Sequence, residues 1–524
     1  MIMFFALALA SAARPNTVWH LPARCEEGDV NALFQFGGTW HLMQQWAARP
    51  HTSVGHAVST DLLHWSRLPD VLASGLTADE QCYDGSASLV MRSGVLTPML
   101  MIDGGCGEKG PGARPCMESS GNGSTGGVTA FPDDLSDTNL TRWTKTTGPT
   151  VFEGCDGSAG PSPIIRNPAT GKPQLIAIHG RGEALFEATS ESLTSWTMVE
   201  PTFLPARGGG GGLWHALPPA VGSGPHAAPW SHIMQLDGAG LRDGGASFAL
   251  LAVDASSSRV ANLSSIAALD SGRGVVYGTL SASGGTADGG GGGDPRTLHV
   301  SWLASALRPD SSCGPSDVDV GSLTSFRELQ FDPTLGPSGG LVERPIAEYD
   351  QLRGAPIGRS APFNGSSAPP IPRRPAALFA LPAGPSALDF ELEVSGLAPG
   401  ESVQVGVACR GAECGALVNL TLGGSPAAPT VAMRVTTMSP SRPSRPTIAA
   451  ATFPLPPEQP AAVPLRLMTD LGTLEVFAAA GRGVHSGELS FAACALAPCS
   501  LMLAAAGASP KLARAAAWPL GSIF

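Results

Sequence analysis

Charge is the first thing this chain lacks. Asp, Glu, Lys and Arg make up 14% of its 524 residues, the formal net charge is -11, and Lys and Arg nowhere gather into a cluster. Nucleic acid and anionic membrane both require a basic patch, so neither is expected as a partner, and a neutral or polar small molecule fits better. Aromatic residues are also few, at 6%, whereas Gly (66) and Pro (47) are plentiful. That composition suits many short strands joined by turns and argues against long helices, so an all-β chain is expected. The 10 cysteines include no zinc-type CxxC doublet, and no metal site or organic cofactor is suggested. Beyond the first fifteen residues no apolar run is long enough to span a bilayer. The length exceeds one ordinary core, so two domains are expected.

What is present begins with MIMFFALALASAARP, a short apolar run with small residues before Ala13. It reads as a secretory signal over residues 1–13, sending the chain to the secretory route, outside the cell or to a vacuole. Two close cysteine pairs, Cys409 with Cys414 and Cys494 with Cys499, agree with an oxidising compartment. Sequons beginning at Asn122, Asn139, Asn262, Asn364 and Asn419 could carry glycans there. An echo recurs in STDLLHW (Ser59 to Trp65), DTNLTRW (Asp137 to Trp143) and SESLTSW (Ser190 to Trp196), each a polar turn, a Leu and a closing Trp. With alternating segments such as ALFQF and QLIAIHG nearby, the echo suggests repeated small antiparallel sheets, as propeller blades read. The Pro/Ser/Gly stretch of residues 354–375 marks a boundary, and the alternating runs ALDFELEVSG, SVQVGVAC and TLEVFAAAG beyond it read as β-sandwich strands.

The stretch DVNALFQFGGTWHLMQQ places Asp29 just before an alternating apolar segment. Asp29 is either a turn acid capping local backbone or half of a catalytic carboxylate pair. The stretch resembles the opening motif of glycoside hydrolase family 32, the invertases and fructan hydrolases. GHAVSTDLLHWSRLP (Gly55 to Pro69) and CYDGSASLV (Cys82 to Val90) are similar to the family's next two blocks. GSLTSFRELQFDP (Gly321 to Pro333) is similar to its closing blade, and LRLMTDLGTLEVFAAAGR (Leu465 to Arg482) to its C-terminal signature. The resemblance implies a five-bladed β-propeller over residues 14–353, a Pro-rich linker over 354–375 and a β-sandwich over 376–524. It further implies retaining hydrolysis of β-fructofuranosides such as sucrose or fructan, with neither metal nor cofactor needed.

The resemblance makes Asp29 the nucleophile, with Asn31 and Gln45 gripping the fructosyl unit and Tyr83 and Asp84 in a block that reaches the sugar. Departures from the family pattern fall on the remaining machinery. Where the family's Arg-Asp-Pro motif should stand, the chain reads EGCDGSAGPSP, and Asp156 is the nearby acid. In GGLWHALPPAV, Trp214 holds while His215 stands where the family has its acid/base Glu. His215 is accordingly expected either to replace that acid or to serve as a polar pocket wall, and a carbohydrate-binding homologue without turnover is the competing expectation.

Overall fold

The computed structural model describes residues 27–48, 51–72, 85–102, 125–146, 150–153, 161–167, 170–179, 182–205, 212–217, 230–237, 245–254, 259–272, 275–282, 296–304, 321–335, 338–360, 368–381, 387–409, 415–425, 428–438, 447–455, 462–470, 473–488, 499–507 and 510–521. Outside them lie the signal segment, Tyr83, Asp84 and Asp156, and so do the sequons at Asn122 and Asn364 and all cysteines except Cys409 and Cys499. No helix is long and apolar enough to cross a membrane among the described residues.

Five antiparallel blades follow one another along the chain. Blade I holds β1 (Glu27–Phe36), β2 (Thr39–Ala48), β3 (His51–Ser59) and β4 (Ser66–Leu72). Blade II holds β5 (Gly85–Arg92), β6 (Val95–Ile102), β7 (Thr125–Pro132) and β8 (Trp143–Lys145). After β9 (Thr150–Glu153), blade III holds β10 (Ile165–Arg166), β11 (Pro173–His179), β12 (Gly182–Ala188) and β13 (Ser195–Pro205). Blade IV holds β14 (Gly212–Ala216), β15 (His232–Asp237), β16 (Ala246–Val253), β17 (Val260–Leu263) and β18 (Ala267–Ala268). Blade V holds β19 (Val275–Ala282), β20 (Thr297–Ala304), β21 (Gly321–Leu323), β22 (Arg327–Asp332) and β23 (Gly340–Pro345).

Apolar layers between the blades close the ring, because each blade must bury both faces of its sheet. Phe34, Met43, Leu100 and Ile102 fill the I–II gap. Met99, Phe131, Leu175 and Trp196 fill II–III, and Ile176, Leu185, Met234 and Leu251 fill III–IV. Ile233, Phe248, Leu280 and Leu303 fill IV–V, and Leu33, Leu42, Leu298 and Val300 fill V–I. The innermost strands of the first and last blades, β1 and β19, pair in parallel, Leu33 opposite Ser281. The five-bladed all-β propeller is therefore the architecture.

The sequence echo is one structural device used three times. Leu62, Leu140 and Leu193 all adopt left-handed backbone, with φ of 64°, 48° and 59°. Three residues on, Trp65, Trp143 and Trp196 donate their indole N–H to the carbonyls of those leucines at 3.0, 2.7 and 3.0 Å. A left-handed Leu is strained on its own, and the buried Leu and the indole bond offset that strain. Trp196 is fully buried, so Trp196→Phe should cost about 2–4 kcal/mol through the void and the orphaned carbonyl. An unchanged denaturant midpoint would count against this role.

Blade I also buries a histidine pair. His41 Nδ1 lies 3.0 Å from His56 Nε2, and His41 stacks on Phe34 with centroids 4.8 Å apart. Burial pulls the imidazoles down to about 3 and about 4 respectively, and at His41 the neighbouring His56 adds to the effect. A histidine with a depressed folded pKa contributes stability above its unfolded pKa of about 6.5, and that stability is lost as the pH falls toward the folded value. The unfolding temperature is expected to fall as pH drops from about 6.5 to about 4. The decline should be shallower in a His41→Asn/His56→Asn variant, and a flat wild-type profile in thermal melts would contradict it.

Two six-stranded sheets follow the propeller and enclose the largest apolar cluster, including Phe390, Val405, Val418, Val435, Leu467 and Val476. Alternating inward residues along each strand make this a β-sandwich. Cys499 is disulfide-bonded and stands opposite Cys409 across one ladder. Within the Pro-rich stretch, Gly358 and Arg359 pair with Ala517 and Ala516. The hairpin of Thr473–Ala478 and Gly483–Glu488 docks on blades IV and V. Contact there is close enough that a Cβ at Gly272 would meet the Ser486 carbonyl oxygen at 1.7 Å.

Candidate active site

Asp29 and Asn31 lie in an irregular part of β1. The β1–β2 register slips between Glu27 and Val30 and again between Val30 and Ala32. As a result Val30 and Leu33 face the layer shared with blade V, whereas Ala32 and Phe34 face blade II. Bulges of this kind turn side chains out of the regular alternation and are frequent beside active sites. Asp29 is partly exposed, Asn31 is buried, and the Gln45 amide of β2 donates to Asp29 Oδ2 at 3.3 Å. An amide donor orients a carboxylate and favours its ionised form, the state a nucleophile requires. Asp29 and Gln45, both singled out from the sequence, are therefore joined by a hydrogen bond at the start of β1, and Asn31 is buried two residues on.

His215 lies elsewhere. It sits on β14, opposite Ile233, and Leu213 two residues earlier pairs with Gln235. The Gln235 amide is 3.3 Å from His299 Nε2, and His299 pairs with Leu280 of β19. Ser281 in turn is level with Leu33 of β1, and His215 and Asp29 stand on separate strands, β14 of blade IV and β1 of blade I. A retaining pair needs about 5–5.5 Å between carboxyl groups. His215 is 6% exposed, and burial, with His299 and His232 adding to it, pulls its imidazole down to about 3. It is therefore a neutral imidazole at neutral pH, without the imidazolium proton. Trp214 stands in β14 opposite Met234.

A second buried polar group escaped the sequence reading. His299 Nε2 is 2.9 Å from Ser301 Oγ, and its Nδ1 faces Glu343. Glu343 Oε2 accepts from Arg327 at 3.1 Å, and Arg327 also donates to Asp270 at 2.8 Å, to Glu475 at 3.0 Å and to Ser486. Burial opposes the charge on Arg327, but its carboxylate partners outweigh that and raise its pKa further. Burial would likewise raise Asp270, yet Arg327 and neighbouring donors hold its carboxyl below the usual range. The hint in sequence is a charged residue beside apolar ones in a strand-like run, Arg327 in FRELQF and Glu475 in TLEVF.

Comparison with known proteins follows the same lines. The N-terminal domain of glycosyl hydrolases family 32 matches residues 23–105. Fructan 1-exohydrolase of Bromus pictus is 28% identical over 201 residues, 35% of this chain and 30% of that protein. Raffinose invertase of Escherichia coli is 36% identical over 128 residues, 23% of this chain and 24% of that protein. The chain thus matches under a third of the length of these relatives. Among solved structures, fructan 1-exohydrolase IIa of Cichorium intybus superposes with a TM-score of 0.73 at 16% identity, covering 97% of both chains. The opening of the chain is thus similar in sequence to the N-terminal domain of glycosyl hydrolases family 32, and the whole architecture is similar in fold to a solved fructan 1-exohydrolase.

Proposed function

We propose that this protein is a β-fructofuranosidase acting on sucrose or fructan by a retaining mechanism, with Asp29 as nucleophile. The observation that carries the reading is the Asp29–Gln45 hydrogen bond at the bulged start of β1. Asp29 attacks the anomeric carbon of the fructosyl unit as the glycosidic bond breaks, and Asn31 and Gln45 hold the sugar hydroxyls. A second carboxyl protonates the leaving oxygen and then takes a proton from the water that releases fructose. In sequence, Asp84 directly precedes β5 and Asp156 precedes β10. We assign the acid/base role to one of these two and assign Tyr83 and Trp214 to the sugar subsite. Residues 14–353 would carry this site, with residues 354–375 as linker and 376–524 as sandwich, secreted after removal of residues 1–13.

The histidine at position 215, where the resemblance expects an acid/base Glu, favours one second reading, a carbohydrate-binding homologue without turnover. Incubating the purified full chain with sucrose, 1-kestose and inulin, and measuring free fructose, separates the two. The hydrolase reading expects release from at least one substrate, with Asp84→Asn or Asp156→Asn lowering the rate about 10²- to 10⁴-fold. Saturable binding of 1-kestose with no fructose released would establish the binding protein instead.

A further inference from the structure

We propose that the far end of the propeller channel is a second binding site, for an anionic oligosaccharide, separate from the Asp29 mouth. A cavity of about 1280 Å³ opens there. It is lined by the β5–β6 turn with Arg92, the β10–β11 turn with Arg166 and Lys172, the β12–β13 turn, and the ends of β14 and β19 with His215 and Ser281. Asp29, Asn31 and Gln45 do not line it. Its volume exceeds the roughly 300–1,000 Å³ of pockets for single small molecules, so a chain of several sugars fits better than one.

The wall offers hydrogen bonding at His215 that none of the described residues uses. His215 is 6% exposed and lines the cavity, and its Nε2 has no hydrogen-bond partner among the described residues. Leaving such a group buried and unpaired is costly, and a polar ligand would recover that cost. Hydroxyls continue the wall, with Ser190, Ser192 and Thr194 linked in a chain at 2.8 and 2.7 Å.

The rim supplies the charge. Arg92, Arg166 and Lys172 line it against the single acid Glu191, in a chain whose net charge is -11. Lys172 is already paired with Glu187 at 2.8 Å, and Arg166 is held by the Gly171 carbonyl at 2.9 Å. Arg92 makes no ion pair among the described residues and lies 4.2 Å over the Phe131 ring. A guanidinium fixed by an aromatic face still presents its edge to sulfate or carboxylate, the bidentate geometry arginine favours.

The test is calorimetric titration of the full chain with sulfated dextran oligosaccharides of about four to six sugars, beside neutral dextran of the same length. The sulfated probe should bind at least about tenfold more tightly. Arg92→Gln/Arg166→Gln should lower its affinity about tenfold or more, while Asp29→Asn leaves it unchanged. Arg373→Gln/Arg374→Gln, which removes two exposed cations of the 354–375 stretch, should also leave it unchanged. Absence of binding by either probe, equal loss in the Arg373/Arg374 variant, or loss in Asp29→Asn would overturn the proposal. Because Asp29→Asn separates the two sites, failure here leaves the fructosidase reading intact.

Discussion

Asp29→Asn should abolish fructose release, by on the order of 10⁴-fold or more, while the protein still folds. The substitution keeps size and shape, and the Gln45 amide at 3.3 Å still has an oxygen to meet. Removed is the charge that stabilises the developing oxocarbenium ion and the oxygen that bonds to the anomeric carbon. A partly exposed position on β1 contributes little to the core, so the unfolding temperature should stay within a few degrees of wild type. The loss should fall on kcat, with 1-kestose still binding through Asn31 and Gln45. Activity near wild type in Asp29→Asn would remove Asp29 from the mechanism. Loss of activity accompanied by loss of folding would make it a structural acid.

Arg327→Met should be the most destabilising single change at the junction of propeller and sandwich. Arg327 is fully buried and bridges Asp270, Glu343 and Glu475, with its guanidinium 5.3 Å above Phe477. Breaking a buried pair by removing one partner costs about 3–5 kcal/mol because the remaining charge stays buried and uncompensated. The pH dependence gives a second signature. In the wild type the Asp270 pKa is depressed, so its contribution is present above the unfolded carboxylate value of about 3.9 and is lost as the pH falls through the lower folded value. Without Arg327, burial raises the orphaned carboxyls, their protonated forms become the stable ones, and the variant should gain stability relative to wild type as the solution is acidified. Thermal melts of both proteins from pH 7 to pH 4 should converge, and a constant gap would rule out this electrostatic origin.

Amino-acid order alone determined the broad outline of this protein. Period-two alternation, abundant turn residues and the repeated Leu and Trp of the three echoes are local signals, since each depends on residues a few positions apart. They sufficed for an all-β chain built from blades, and the motif around Asp29 sufficed to put Gln45 within hydrogen-bond reach of it, because β1 and β2 form one hairpin. Tertiary structure alone decided what depended on distant pairing. His215 follows Trp214 in the sequence, yet the burial and the nearby His232 and His299 that lower its imidazole come from strands far along the chain. A shift in strand register moves a side chain by several ångströms without changing its neighbours in sequence. The Arg327 network likewise draws Asp270, Glu343 and Glu475 from separate elements, 148 positions apart between Arg327 and Glu475. Desolvation in a closed interior sets the charge states of these groups, and that burial exists only once blades IV and V and the sandwich have come together.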